Sequence, residues 1–199
     1  MFNLTPVVKN LLLINVILFF AQKILSGIPL MEYLALWNVR TEYFKPYQLF
    51  TYMFAHLEFM HILMNMLGIV FMGPILETFL GQKRFLLLYM VTGIGAAVFN
   101  ILIDLYLPVG SFGSMMGASG AVYGLLTAFG VIFPNMEMRL LFLPFGIKAK
   151  YFVLILGSLA IYSGFMSTPG DNTAHFAHLG GIFVALGILQ FWKKDGIYR

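Results

Sequence analysis

The chain has 199 residues, is 60% hydrophobic and only 10% charged, and carries a formal net charge of +4 with no cysteine. A soluble globular domain holds about 25% charged residues, so this composition excludes one and points to an all-α bundle in lipid. Without cysteine there is no disulfide framework, no thiolate nucleophile and no cysteine-based metal site.

The length suits a single domain spanning residues 1–199. About six apolar stretches are long enough to cross a bilayer, each needing roughly 20 residues. They fall at 9–28, 50–76, 85–107, 116–134, 150–168 and 174–192. The first, "KNLLLINVILFFAQKIL", turns polar too late and too strongly for a cleaved signal peptide, and no A-x-A site follows it. Residues 29–49, "IPLMEYLALWNVRTEYFKPYQ", are aromatic, half-apolar and charged, the composition of an interfacial loop lying in the headgroup region. The second span is opened by His56 and His61 and contains Pro74, which is expected to kink it. Asn65 follows His61 by four residues, so the two share one helix face. The third span carries Asp104 near its end. The fourth holds "MMGASGAVYGLL", with Ser119 placed about a turn into the helix. Before the sixth, "STPGDNT" at 167–173 is loop chemistry suited to a mobile cap, and Asp171, Asn172 or Thr173 can cap the helix that follows. His175 and His178 lie in that helix's first turns.

Charge orients the bundle. With the N-terminus in the cytoplasm, Lys9, Lys83, Arg84, Arg139, Lys148, Lys150, Lys193, Lys194 and Arg199 fall inside, and only Lys23, Arg40 and Lys45 fall outside. This positive-inside bias also places the C-terminus inside. The basic residues therefore report orientation, and no basic face interleaved with aromatics suggests nucleic acid.

Two readings compete for the glycine-flanked serine. Gly113/Gly117 and Gly120/Gly124 have the small-xxx-small spacing that lets membrane helices approach closely. Alternatively, Ser119 is a nucleophile. Polar groups inside apolar helices are costly and mark function by default. Topology puts Ser119, His61, Asn65 and His178 at similar depth in the outer half of the membrane, and this depth match favours the nucleophile. A serine hydroxyl needs a base, and neutral His178 can serve as one. The Ser119 backbone N–H, a His61 ring N–H and the Asn65 amide can supply oxyanion donors. Acidic residues are missing from the relevant faces, so the expected pair is a Ser–His dyad with no aspartate. No metal or other cofactor is expected, and the thirteen methionines read as adaptable packing.

"GASGAVYG", with "HLEFMHILMN" upstream and "AHLGG" downstream, resembles the rhomboid intramembrane serine proteases. The resemblance covers the chain from about residue 40 to its end. It implies a six-transmembrane-helix bundle with an outward-opening, water-filled active site. It implies Ser119 as nucleophile, His178 as base, and His61 and Asn65 in the oxyanion site. Tyr123 would pack against the His178 ring. His56 would be structural, and Gly181 with Ala185 would let the sixth helix press on the fourth. The family pattern of an alanine before and a glycine three residues after the catalytic histidine fits His178 and not His175. Gly117 and Gly120 would keep the backbone open to a substrate strand. Where the family often carries Trp-Arg, this chain has Tyr47-Gln48, with Trp37 and Arg40 earlier. Glu77 matches the family's acidic residue at the inner end of the second helix.

The expected substrates are single-span or other membrane proteins, cleaved near the outer face of the bilayer, and the compact form suits a bacterial cytoplasmic membrane. Two alternatives are a catalytically inactive rhomboid-like protein that binds membrane clients and a transporter using the four histidines. The first would lack the serine or the histidine, and the second would show internal repeats.

Overall fold

The computed structural model describes residues 3–25, 27–106, 113–138, 146–166 and 175–198. Its helices are α1 (Pro6–Ile24), α2 (Leu30–Leu34), α3 (Gln48–Thr51), α4 (Phe59–Leu80), α5 (Gln82–Tyr106), α6 (Ser119–Ile132), α7 (Ala149–Met166) and α8 (His175–Lys194). A 3-10 turn, Tyr52–Phe54, continues α3. A small antiparallel hairpin of β1 (Glu137–Met138) and β2 (Ile147–Lys148) precedes α7, an addition to the helical pattern expected from the sequence.

Helices α1, α4, α5 and α8 are long and apolar enough to cross a membrane. The apolar stretches of α6 and α7 are shorter, and the 14 residues of α6 span only about 21 Å. Among the boundaries that move, two bear on the site. The second span starts at Phe59 rather than at residue 50, because 48–54 wind as a short helix and a tight turn. His56 therefore precedes the helix instead of opening it. Helix α6 starts at Ser119 itself, because Gly117 adopts φ +109°, which no right-handed helix contains. Ser119 is thus the first helical residue and not a turn inside. Helix α4 runs through Pro74, and the Thr78 hydroxyl donates to the Pro74 carbonyl at 2.7 Å.

The core is built around α6, which packs chiefly on α5 and α8. Small residues make this possible, because helices in lipid gain from close backbone approach. A methyl added at Gly120 would lie 2.6 Å from the Ala96 Cβ of α5, and one at Gly124 would lie 2.5 Å from Thr92. A methyl at Gly181 of α8 would strike the Gly120 carbonyl. Ala185, one turn on, is fully buried.

Buried polar groups tie the periphery together. The Glu77 carboxylate of α4 accepts the N–H groups of Val7 (3.0 Å) and Val8 (2.9 Å) and the Thr5 hydroxyl. These donors belong to the start of α1, whose N–H groups have no helical partner and whose dipole favours a negative charge. In the segment between α1 and α4, Gln48 is buried and gathers backbone groups. Its Oε1 accepts the N–H of Lys45 (3.0 Å) and of Trp37 (3.4 Å), and its Nε2 donates to the Tyr43 carbonyl at 3.1 Å. The Arg40 guanidinium donates to the Leu105 carbonyl at the end of α5, 3.0 Å away.

Candidate active site

Ser119 and His178 stand at the first turns of two neighbouring helices, α6 and α8. The close α6–α8 contact at Gly120 and Gly181 brings them together across 59 residues of sequence. Ser119 Oγ lies 2.9 Å from His178 Nε2. The His178 ring is stacked on Tyr123, one turn after Ser119, with centroids 4.3 Å apart and planes 7° apart. His178 Nδ1 is buried without a hydrogen-bond partner among the described residues. Asp104 of α5 is instead paired with the Asn100 amide at 3.3 Å. Among the described residues the His178 ring is thus stacked on an aromatic face and hydrogen-bonded to no carboxylate.

His61, in the first turn of α4, lies over Gly117. A Cβ at Gly117 would be 2.5 Å from His61 Nε2 and 2.6 Å from Cε1. Asn65 is buried, and its Nδ2 donates to the His61 carbonyl at 2.9 Å, which engages one of the two amide hydrogens. The His56 ring meets that of His61 edge-on, 5.1 Å away. It is fully buried, and its Nε2 accepts the Ala118 N–H at 3.4 Å. Burial, with His61 beside it, pushes the His56 imidazole down to about 4, so the ring is neutral and can accept. His175 lies 6.0 Å from His178, ring edge to face.

The structure thus gathers Ser119, His178, Tyr123, His61, Gly117 and His56 into one cluster, with Asn65 one turn below His61. At both glycines the space a Cβ would take is already occupied. Gly117 makes room for the His61 ring, and Gly120 faces Ala96, the Tyr52 hydroxyl and the Ala177 carbonyl inside the bundle. The 167–173 segment, with Asp171, Asn172 and Thr173, lies outside the described residues.

Sequence reasoning passed over Tyr52. Its hydroxyl donates to the Gly93 carbonyl of α5 at 2.6 Å, and its carbonyl accepts the Gly117 N–H at 2.9 Å. The available signal was a phenol inside an apolar run, four residues before His56. A second omission is the two-way backbone bridge between Leu36 and Met115, which joins the segment before α4 to the loop before Ser119.

Serine hydroxyl, neutral imidazole and the unpaired N–H groups of a helix start form an arrangement suited to acyl transfer. The family model described as "Rhomboid domain" matches residues 43–193. Over 139 residues the chain is 32% identical to Rhomboid protein 1, mitochondrial, from Saccharomyces cerevisiae, covering 70% of this chain and 39% of that protein. It is 29% identical to the putative rhomboid protease YdcA of Bacillus subtilis over 200 residues, 98% of this chain and 94% of that one. It is 24% identical to the rhomboid protease GlpG of Yersinia pestis over 194 residues, 98% of this chain and 65% of the relative.

Proposed function

The chain belongs to the rhomboid family, and on that premise we propose that it is an intramembrane serine endopeptidase working through a Ser119–His178 dyad. The observation that carries this reading is the 2.9 Å approach of Ser119 Oγ to His178 Nε2. With the ring proton on Nδ1, Nε2 accepts the serine proton as Oγ attacks a peptide carbonyl. The same nitrogen then returns the proton to the leaving amine. Water, activated in turn by His178, hydrolyses the acyl-enzyme. The Ser119 N–H, the His61 ring and the free hydrogen of the Asn65 amide are the donors for the oxyanion.

The substrates in this reading are transmembrane segments of membrane proteins. A peptide bond within a helix is shielded and its carbonyl is engaged, so the segment must unwind near the site, and helix-breaking residues favour cleavage. The chain crosses the bilayer with α6 and α7 as well as the four long helices, with the segment between α1 and α4 in the interface. Both termini are cytoplasmic, and Ser119 faces the outer half of the membrane.

The test is cleavage of a single-span substrate in liposomes by the wild type, Ser119→Ala and His178→Ala, with fluorophosphonate labelling alongside. Wild type should cut and label, and both variants should fail to cut. Cleavage by Ser119→Ala would overturn the dyad. A folded wild type that binds clients but neither cuts nor labels would make this an inactive relative.

A further inference from the structure

The loop before Ser119 is held from one side, by residues that all precede α4. Leu36 N–H donates to the Met115 carbonyl at 2.9 Å, and Met115 N–H donates back at 2.8 Å. Gly117 N–H goes to the Tyr52 carbonyl at 2.9 Å, and Ala118 N–H to His56 Nε2 at 3.4 Å. Gly117 has φ +109°, one of many conformations open to glycine, so its own backbone does not select this shape. An outside hold therefore decides its shape.

That shape sets where the Ser119 N–H points. The first helical bond of α6 runs from Val122 N–H to the Ala118 carbonyl at 2.9 Å. The N–H of Ser119 lies ahead of it, among the donors a helix start leaves unpaired. The amides of Met115, Gly117 and Ala118 before it are already engaged, so the direction of the Ser119 N–H follows from how these residues are fixed.

Among these holds, Tyr52 is the one anchored at both ends. Its side chain is 1% exposed, and its hydroxyl reaches across 41 residues of sequence to the Gly93 carbonyl of α5 at 2.6 Å. A helix carbonyl keeps a second lone pair for such a bond. A phenol is protonated at neutral pH and can only donate here. The same hydroxyl lies 3.3 Å from where a Gly120 Cβ would be. Tyr52 thus links α5 to the nucleophile loop, alongside the start of α6.

We propose that Tyr52 is a positioning residue for the reaction: its hydroxyl, pinned to the Gly93 carbonyl, holds the Tyr52 main chain where it fixes the Gly117 amide and aims the Ser119 N–H at the developing oxyanion. The inference rests on the protease reading of Ser119. Losing one oxyanion donor costs on the order of 100-fold or more in kcat, so mis-aiming one costs about tenfold.

The test compares wild type with Tyr52→Phe, which keeps the ring and removes only the hydroxyl, in the full chain in liposomes. Fluorophosphonate titration counts competent sites, so kcat is expressed per active site. Hydrogen exchange is followed for the peptide covering 113–118. Tyr52→Phe should show faster exchange there, a roughly tenfold lower per-site kcat and a KM within about twofold of wild type. Replacing Tyr52 by p-aminophenylalanine restores a donor at the ring tip and should bring kcat back to within about threefold. Unchanged exchange overturns the proposal. So does a loss confined to KM or to the number of competent sites, which is what a merely structural tyrosine gives. Should Tyr52→Phe fail to fold, the p-aminophenylalanine variant decides, and a loss of about tenfold in its per-site kcat overturns the role of the donor. A wild type that neither cuts nor labels sinks the protease reading, and this proposal with it. Exchange at 113–118 separates that failure from one in which Tyr52 simply does not hold the loop.

Discussion

Tyr123 lies flat on His178, 4.3 Å between ring centroids and 7° from parallel, while His178 Nδ1 has no hydrogen-bond partner among the described residues. In the proposed dyad the stack takes the orienting place that a carboxylate holds in a catalytic triad. Aromatic pairs of this kind are worth about 0.5–1.5 kcal/mol beyond their buried area, up to about tenfold in an equilibrium. Tyr123→Ala should therefore lower per-site kcat by up to about tenfold. Tyr123→Phe, which keeps the stack, should stay within about threefold. Equal losses in the two variants, measured with a single-span substrate, would assign the effect to the hydroxyl and not to the ring.

Gly181 faces the Gly120 carbonyl so closely that a Cβ has no room. The two glycines lie within three residues of His178 and next to Ser119, so separating the helices there separates the dyad. Overpacking of this kind costs about 1–3 kcal/mol. Gly181→Val should lower the thermal midpoint in detergent and abolish fluorophosphonate labelling. Gly187→Ala, further along α8 and open to its surroundings, is the control and should leave both unchanged. Full labelling of Gly181→Val would show that the dyad tolerates the displacement.

Spacing within one helix made part of the site legible, since His61 and Asn65 are one turn apart on α4. Tyr123, His56 and Gly181 were legible only through the resemblance of "GASGAVYG", "HLEFMHILMN" and "AHLGG" to the rhomboid motifs. What the sequence hid depends on contacts that leave no periodic trace. Gly117 reads like any small residue in a packing stripe, yet its positive φ ends the loop and starts α6 at Ser119. Gln48 gathers backbone groups from an irregular segment, which shows in no pattern of hydrophobicity. Tyr52 meets Gly93 from 41 residues away, and Glu77 meets α1 from 69 or more. Such pairings follow from the tertiary arrangement alone.

Glu77 accepts hydrogen bonds from Thr5, Val7 and Val8 and is 3% exposed. Removing the carboxylate leaves two amide donors at the start of α1 unpaired, at about 1–3 kcal/mol. Glu77→Ala should lower the thermal midpoint, with Glu77→Gln between it and wild type because one carbonyl oxygen still accepts. Since α1 lies away from the dyad, per-site kcat should be unchanged in both. A fall in per-site kcat with an unaltered midpoint would contradict a purely capping role.

His56 gives the fold an acid limit. Its imidazole titrates near 4 in the folded protein against 6.5 for the unperturbed side chain, because burial and the neighbouring His61 disfavour its charge. The folded state therefore binds fewer protons than the unfolded state between these values, and stability falls as pH drops through that window. Above it, His56 is neutral in both states and costs nothing. His56→Gln keeps an acceptor for the Ala118 N–H but cannot titrate. Unfolding midpoints of wild type and His56→Gln, compared at about pH 7.5 and about pH 5, should show a larger acid loss in wild type. The variant serves as reference for the other titrating groups. An equal loss in both would mean that His56 is protonated in the folded protein at acid pH, and that the Ala118 N–H finds its acceptor elsewhere.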